Sequence, residues 1–389
     1  MKVAYVGDFI NHGKFLPTFG TSLVILLARL EYVTSIDVFC PEINKNIEDF
    51  KKPDKVNVVE FYSYDNPISL LKFLRISWNE YDTVIFNMLP TGFGNSSVAN
   101  AIGLMIPISL TKIFGYNNIK IIYHNSIFTN DIKKLGYNSL FDRIRSFFLK
   151  VVETRLLKNV EIFVLLDLYK RRIDAALGKN LVQVYNPRFL DEITTLYINN
   201  ALELEKIENA DQKTPAILMH GSWGPQKNIE LGLSVLRDLR KEGITFKLII
   251  SGGINHHFPE YAKKFRQMLD FYSDVIDEYL GMVDEKEIMS LFLNANLIIL
   301  PYNTPGGHSA VLEQAIFFEV PTIAIDFPEY REQVAGNESV ILVEPKDMNS
   351  KLILKQLNAT CHKIINVNMK IQESKKNMEC LLTKNRGIK

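Results

Sequence analysis

Short apolar runs of strand length, separated by stretches of helical periodicity, recur along this chain and leave few folds open to it. The first half holds "KVAYVGDF", "SIDVFC", "VNVVEF", "DTVIFNML", "NIKIIYH", "VEIFVLL" and "LVQVYNP". Between them lie helical segments such as "TSLVILLARL", "PISLLKFLRISW", "SLFDRIRSFFLKVVETRLL" and "YKRRIDAAL". Strands apolar throughout are buried on both faces, and strand–helix alternation builds βαβ units. A parallel sheet covered by helices on both sides is therefore predicted. The pattern stops at the polar, acidic "NNALELEKIENADQKTP" and restarts with "AILMHGSWG", "NIELGLSVLRDLRKEG" and "FKLIISGG". The chain reads as two doubly wound α/β domains, 1–198 and 216–360, with a linker at 199–215 and a helical tail at 361–389. Ligands of such sheets bind beyond the carboxyl ends of the strands, so the expected site is a cleft between the domains.

Length and composition agree. The 389 residues exceed one ordinary core, and 47% hydrophobic with 23% charged residues fits a globular protein. A net charge of +1 gives no case for nucleic-acid binding. Cys40, Cys361 and Cys380 are too few and too far apart for a disulfide framework or a zinc site. "MKVAYVGDF" reads as a strand rather than a signal peptide. "VANAIGLMIPISL", interrupted by Pro107, is too short to span a membrane and reads as a buried helix. A cytoplasmic protein is expected, with a possible seat at the membrane face.

Three loops after strands in the second half carry candidate chemistry. "GSWGPQKN" places Gly221 and Gly224 where backbone can approach a ligand and Lys227 where a positive charge can meet it. "SGGINHH" adds two more glycines, while His256 and His257 have no third ligand nearby and read as surface. In "NTPGGHSAVLEQAIFFEVPTIAID", Gly306, Gly307, His308 and Ser309 open a helix. A helix N-terminus presents unpaired N–H groups and partial positive charge, so a phosphate or diphosphate fits there, with Ser309 as cap. Each loop alone is equally an ordinary turn.

In order, "GSWGPQKN", "LIISGG", "YLGMVDEKEIMSLFLNANLIILPY", "SAVLEQAIFFEVPTIAID" and "EQVAGNESVILVEP" resemble the donor domain of the retaining group 1 glycosyltransferases of the GT-B fold. The resemblance covers about Ala216 to Lys346 and extends to the first half only as a pattern. It implies two Rossmann-like domains and a nucleoside-diphosphate sugar as donor substrate, with no cofactor and no essential metal. By the resemblance, Lys227 contacts the donor diphosphate, and Gly221, Gly307, His308 and Ser309 line it. The backbone from Gly281 to Val283 lies near the nucleobase. In the first domain, the loop from Asp8 to Gly20, with Gly13, faces the donor phosphates, and His124 faces the site. Lys227 and His124 are the candidate catalytic residues. The family's basic residue before the lysine is missing, Ser222 and Trp223 standing there. Its pair of glutamates at fixed spacing, counted back from Pro321, falls on Gly306 and Gln314, with Glu313 one residue away. Its helix-ending glycine is Glu319. Either Gln314 or Glu313 is expected at the ribose.

The reading is a retaining, metal-independent glycosyltransferase acting on a lipid-linked, glycan or glycoprotein-precursor acceptor. A non-catalytic GT-B-like partner subunit and a sugar-nucleotide epimerase stand as alternatives. From Lys112 to Arg188 the chain has fourteen Lys and Arg against six Asp and Glu. Within it, residues 137–159 mix basic and apolar side chains at helical spacing, which suits contact with an anionic membrane surface. A helix with one apolar face in the core and a basic face in water explains the same spacing.

Overall fold

The computed structural model describes residues 1–9, 18–42, 52–89, 92–94, 96–124, 126, 128, 140–178, 181–190, 192–198, 214–255, 258–305, 307–358 and 367–383. Gly13, Gly306, His256, His257, Cys361 and most of the expected linker lie outside them.

The first unit contains β1 (Lys2–Val6), α1 (Thr18–Ala28), β2 (Ser35–Pro41), β3 (Val56–Tyr62), α2 (Pro67–Leu70), β4 (Thr83–Met88), α3 (Ser97–Lys112), β5 (Ile119–Tyr123), α4 (Leu140–Asn159), β6 (Glu161–Val164), α5 (Asp167–Leu177) and β7 (Gln183–Val184). All its strand pairs are parallel, in the order β3-β2-β1-β4-β5-β6-β7. Strand periodicity divides the core: Val84, Phe86 and Met88 of β4 face one helical layer and Ile85 the other. "PISLLKFLRISW" is less helical than its spacing implies, because only four residues are α-helical and Leu71–Arg75 form a 3₁₀ turn. The segment with Pro107 is a helix buried on one face, while Val98 and Met105 on its other side are exposed.

After α6 (Glu192–Ile198), the second unit contains β8 (Ala216–His220), α7 (Ile229–Lys241), β9 (Lys247–Ser251), α8 (Tyr261–Phe271), β10 (Glu278–Gly281), α9 (Glu285–Asn294), β11 (Leu297–Leu300), α10 (Ala310–Phe317), β12 (Thr322–Ile325), α11 (Pro328–Val334), β13 (Val340–Val343) and α12 (Ser350–Leu357). Its parallel sheet runs β10-β9-β8-β11-β12-β13. Helix α7 shows why such segments fold: Ile229, Leu233 and Leu236 make one buried stripe, while Arg237 and Arg240 pair with Asp274 and Asp277.

The chain divides into two compact units, Met1–Thr194 with Ile371–Lys389, and Thr195–Lys370. The terminal helix α13 (Val367–Thr383) is therefore no separate appendage. Its Met378, Leu381 and Leu382 join Leu23, Leu26 and Leu27 in the first unit's core. Lys120, buried in the middle of β5, donates to the carbonyls of Leu381 and Leu382 at 2.7 and 3.2 Å. A buried ammonium at a helix C-terminus satisfies carbonyls that have no intrahelical donor.

Candidate functional site

In each sheet the strand order reverses beside the first strand of its unit, between β1 and β4 and between β8 and β11. The crevice at such a reversal is where open α/β sheets receive ligands.

In the second unit the loops after β8 and β11 meet at this reversal. Lys227 ends a 3₁₀ turn, Pro225–Lys227, rather than opening α7 itself. Its ammonium stands over the Tyr302 ring, 3.7 Å from the centroid, and Asn303 N–H donates to the Gln226 carbonyl at 2.9 Å. No carboxylate or carbonyl among the described residues hydrogen-bonds or ion-pairs with Lys227. The residue as a whole is half-buried, yet its ammonium end is desolvated enough to push its pKa down to about 7. His220, at the end of β8, is pushed down to about 4 by burial and then by the charge of Lys227. Its Nδ1 lies 2.7 Å from the Ser251 hydroxyl.

The glycines of this unit approach one another's backbone. Gly252 has φ +106°, and a Cβ there would lie 1.8 Å from the Gly221 carbonyl oxygen. The "SGG" loop thus packs against the Gly221 loop, and Gly252 N–H donates to the Gly281 carbonyl. Gly281 has φ +62°, and Val283 beyond it is half-buried. Trp223 is core: its indole donates to the Ser251 carbonyl at 3.1 Å and stacks on Phe265.

At the α10 entrance, Gly307 has φ +114° and Ser309 caps the helix, its hydroxyl accepting from Leu312 N–H at 3.3 Å. One expected phosphate donor is already taken. Ser309 N–H donates to Gln333 Oε1 at 2.9 Å, and Gln333 Nε2 returns a bond to the Ser309 carbonyl at 3.2 Å. Glu313 is occupied too, with Gln333 Nε2 at 3.4 Å and His308 Nε2 at 3.7 Å from its Oε2. Gln314 is 5% exposed and its amide has no hydrogen-bond partner among the described residues. Of the two ribose candidates, Gln314 is the one whose polar end is left for a ligand.

In the first unit, the loops after β1 and β4 enclose a cavity of about 220 Å³, with Asp8, Asn87 and His124 on its wall. Tyr64 donates to Asp8 Oδ1 at 2.5 Å. Burial pushes the Asp8 carboxyl up from its ordinary pKa, and the Tyr64 bond opposes that. The tautomer of His124 follows from its neighbours. Tyr5 spends its one hydroxyl proton on the Asp8 carbonyl at 3.0 Å, so it accepts from Asn87 Nδ2 at 2.9 Å. Asn87 then turns Oδ1 toward His124 Nε2, 2.6 Å away, which must carry the proton. His124 is neutral, its pKa pushed down to about 4 by burial, and Nδ1 is left as an acceptor. Phe19 packs edge-on at 4.2 Å.

The sequence reading missed Tyr302, Gln333, Asn87 and Tyr64. Two of them left a signal: Asn87 as an amide inside the mostly apolar "TVIFNM", and Tyr302 as the last residue of the quoted segment ending "LIILPY". No group of three or more His, Cys, Asp or Glu side chains able to hold a metal forms among the described residues. None of the described helices is long and apolar enough to cross a membrane.

Residues 201–376 match the family model described as Glycosyl transferases group 1. No curated protein matches the chain in sequence. Among solved structures, sucrose-phosphate synthase from Thermosynechococcus elongatus aligns at TM-score 0.65 and 14% identity, covering 98% of this chain and 95% of that one. Anabaena HepE, solved with UDP and glucose, aligns at TM-score 0.59 and 14% identity over the same shares, 98% and 95%. The UDP-GlcNAc 2-epimerase of Methanocaldococcus jannaschii aligns at TM-score 0.53 and 13% identity, over 99% and 100%. At such identities the likeness establishes the fold, two Rossmann-like parallel-sheet domains of GT-B type.

Proposed function

We propose that this chain, whose residues 201–376 match the family model described as Glycosyl transferases group 1, is a retaining glycosyltransferase using a nucleoside-diphosphate sugar. The observation that carries this reading is Lys227: a desolvated ammonium at the sheet reversal, held by an aromatic face and lacking any anionic partner among the described residues. Burying a cation without a counter-ion is costly unless a ligand supplies the charge. A diphosphate does so, and HepE, of the same fold, was solved with UDP.

In the reaction, the bond between the sugar's anomeric carbon and the diphosphate oxygen breaks as the acceptor hydroxyl bonds to that carbon on the same face. The hydroxyl proton passes to the departing phosphate oxygen, so no separate base is required. Lys227 stabilises the charge that grows on the leaving group, and Gln314 binds the ribose. Neutral His124 offers Nδ1 to a hydroxyl. The reaction needs no metal.

The acceptor is lipid-linked, and the protein works at an anionic membrane surface through α4. Two features support this. Leu149, Val152 and Leu156 fill the inner face of α4, yet Ile144, Phe147 and Phe148 are 60%, 72% and 60% exposed, beside an exposed Lys150. Next to them runs an apolar groove of about 670 Å³ lined by Leu71, Ile102, Met105 and Phe148. A helix apolar on both faces and flanked by basic residues suits the lipid interface.

The test is a thermal-shift and turnover screen over nucleotide sugars, with Lys227→Ala beside the wild type. A cognate donor should raise Tm, and its sugar should be transferred. Lys227→Ala should lose about 3 kcal/mol of barrier stabilisation, on the order of a hundredfold in rate. Epimerised donor without transfer would favour the epimerase reading, and no stabilisation by any donor would favour a non-catalytic subunit.

A further inference from the structure

Lys227 and Tyr302 come from different loops of the second unit, yet they are fixed against each other. Asn303, the residue after Tyr302, ties the loop after β11 to the loop after β8 by two bonds. Its N–H donates to the Gln226 carbonyl at 2.9 Å and its Nδ2 to the Pro225 carbonyl at 3.4 Å. Tyr302 is 1% exposed and packs edge-on against Tyr330, with ring centroids 6.5 Å apart. A ring so enclosed has little freedom to turn, and the Lys227 ammonium lies over its face at 3.7 Å.

The face of an aromatic ring carries negative potential and attracts a cation without bearing a charge. A carboxylate in the same place would hold the ammonium more firmly, but it would repel an incoming anion. The ring does not. Burial pushes the Tyr302 phenol up, so it stays uncharged, and its hydroxyl lies 3.5 Å from the His220 carbonyl. His220, the other titratable group that bears on the ammonium among the described residues, is pushed down to about 4 and is neutral as well. A lysine head on its four-carbon stem is ordinarily flexible and strongly hydrated. Held over the ring, it has already given up water and freedom before a ligand arrives.

We propose that Tyr302 is the positioning residue for Lys227, its ring face holding the ammonium in place of a counter-ion until a diphosphate takes it. The diphosphate rests on the reading above; the seating of the ammonium does not.

The experiment follows the titration of Lys227 in the ligand-free whole protein by NMR of isotope-labelled lysine ε-carbons, its signal identified by its loss in Lys227→Arg. UDP is titrated calorimetrically into each protein at pH 8. Tyr302→Phe keeps the ring face and Tyr302→Leu removes it. Pentafluorophenylalanine at position 302 reverses the potential of the face in nearly the same shape. The face favours the charged lysine, so losing it lowers the midpoint. Tyr302→Leu and the fluorinated ring should each lower it by roughly one pH unit and weaken UDP about tenfold, while Tyr302→Phe stays close to wild type in both. A merely structural tyrosine would lower Tm and leave the midpoint where it was. Near-ultraviolet circular dichroism checks folding; if Tyr302→Leu is not folded, the fluorinated ring carries the decision. The proposal is overturned if the midpoint stays put in a folded variant without the face, or if Tyr302→Phe moves it as far as Tyr302→Leu. It is overturned too if the midpoint moves while a protein that binds UDP keeps its affinity. A midpoint that moves as expected in a protein with no affinity for UDP would sink the glycosyltransferase reading and leave the seating of Lys227 standing.

Discussion

Lys227 has the clearest pH signature at the scale of single residues. Burial holds its free pKa near 7, and a diphosphate beside it would favour the ammonium and raise that value in the complex. Below pH 7 the side chain is charged in both states and affinity for UDP is full. Above pH 7 binding must first take up a proton, so affinity should fall, by up to about tenfold per pH unit, until the pKa of the complex is passed. Calorimetric titration from pH 6 to 9 reads this directly. Lys227→Arg should flatten the profile, since a guanidinium stays charged throughout, and a flat wild-type profile would remove Lys227 from the diphosphate. Gln314 and Glu313 make the second residue-scale case. Gln314→Ala should raise the donor KM several-fold with little loss of stability. Glu313→Ala should chiefly lower Tm, because it strips a partner from Gln333 and His308; equal effects on KM would refute the assignment. Lys227 was legible from its place after a strand. The split between 313 and 314 was not, because it depends on Gln333, twenty residues further on and in another helix.

Among elements, the end of α10 shows how a missing glycine is accommodated. Glu319 occupies a left-handed conformation, φ +53°, that glycine adopts without penalty. Its carboxylate lies 3.0 Å from Lys370 Nζ, and that ammonium also donates to the Phe317 carbonyl at the end of the helix. Strain at one residue is thus offset by a side-chain cap from another element. Glu319→Gly should therefore change unfolding free energy little in the wild type, since relief of about 1 kcal/mol of strain is set against a buried ammonium losing its acid. In a Lys370→Met background the same change should stabilise by about 1 kcal/mol. Urea midpoints for the four proteins decide it, and identical effects in both backgrounds would break the link. The apolar strand runs made the sheets readable. Helix α13 was legible as a helical tail, but its docking on the first unit was not, because Lys120, whose ammonium binds its last turn, looks in sequence like a charge misplaced in the strand "IKIIY".

For the whole molecule, charge is distributed more tellingly than its sum. The chain is nearly neutral, yet residues 112–188, the segment that contains α4 and its exposed apolar side chains, hold an excess of eight positive charges. Co-sedimentation with vesicles containing phosphatidylserine should show binding that weakens with salt. Joint reversal of Arg143, Arg145 and Lys150 to Glu should weaken it at least tenfold, at roughly 1 kcal/mol per basic residue near the surface. Binding only to neutral vesicles, or none at low salt, would dismiss the membrane seat. The return of α13 to the first unit bears on a different process, the emergence of the chain from the ribosome. Residues 1–194 leave the exit tunnel first, but the core that holds Leu23, Leu26 and Leu27 stays incomplete until Met378, Leu381 and Leu382 are made. At about 5–20 residues per second, the intervening 195–370 segment takes on the order of ten seconds or more to translate. The unit synthesised first therefore closes after the one synthesised second, and through that interval it offers chaperones an unfinished apolar face.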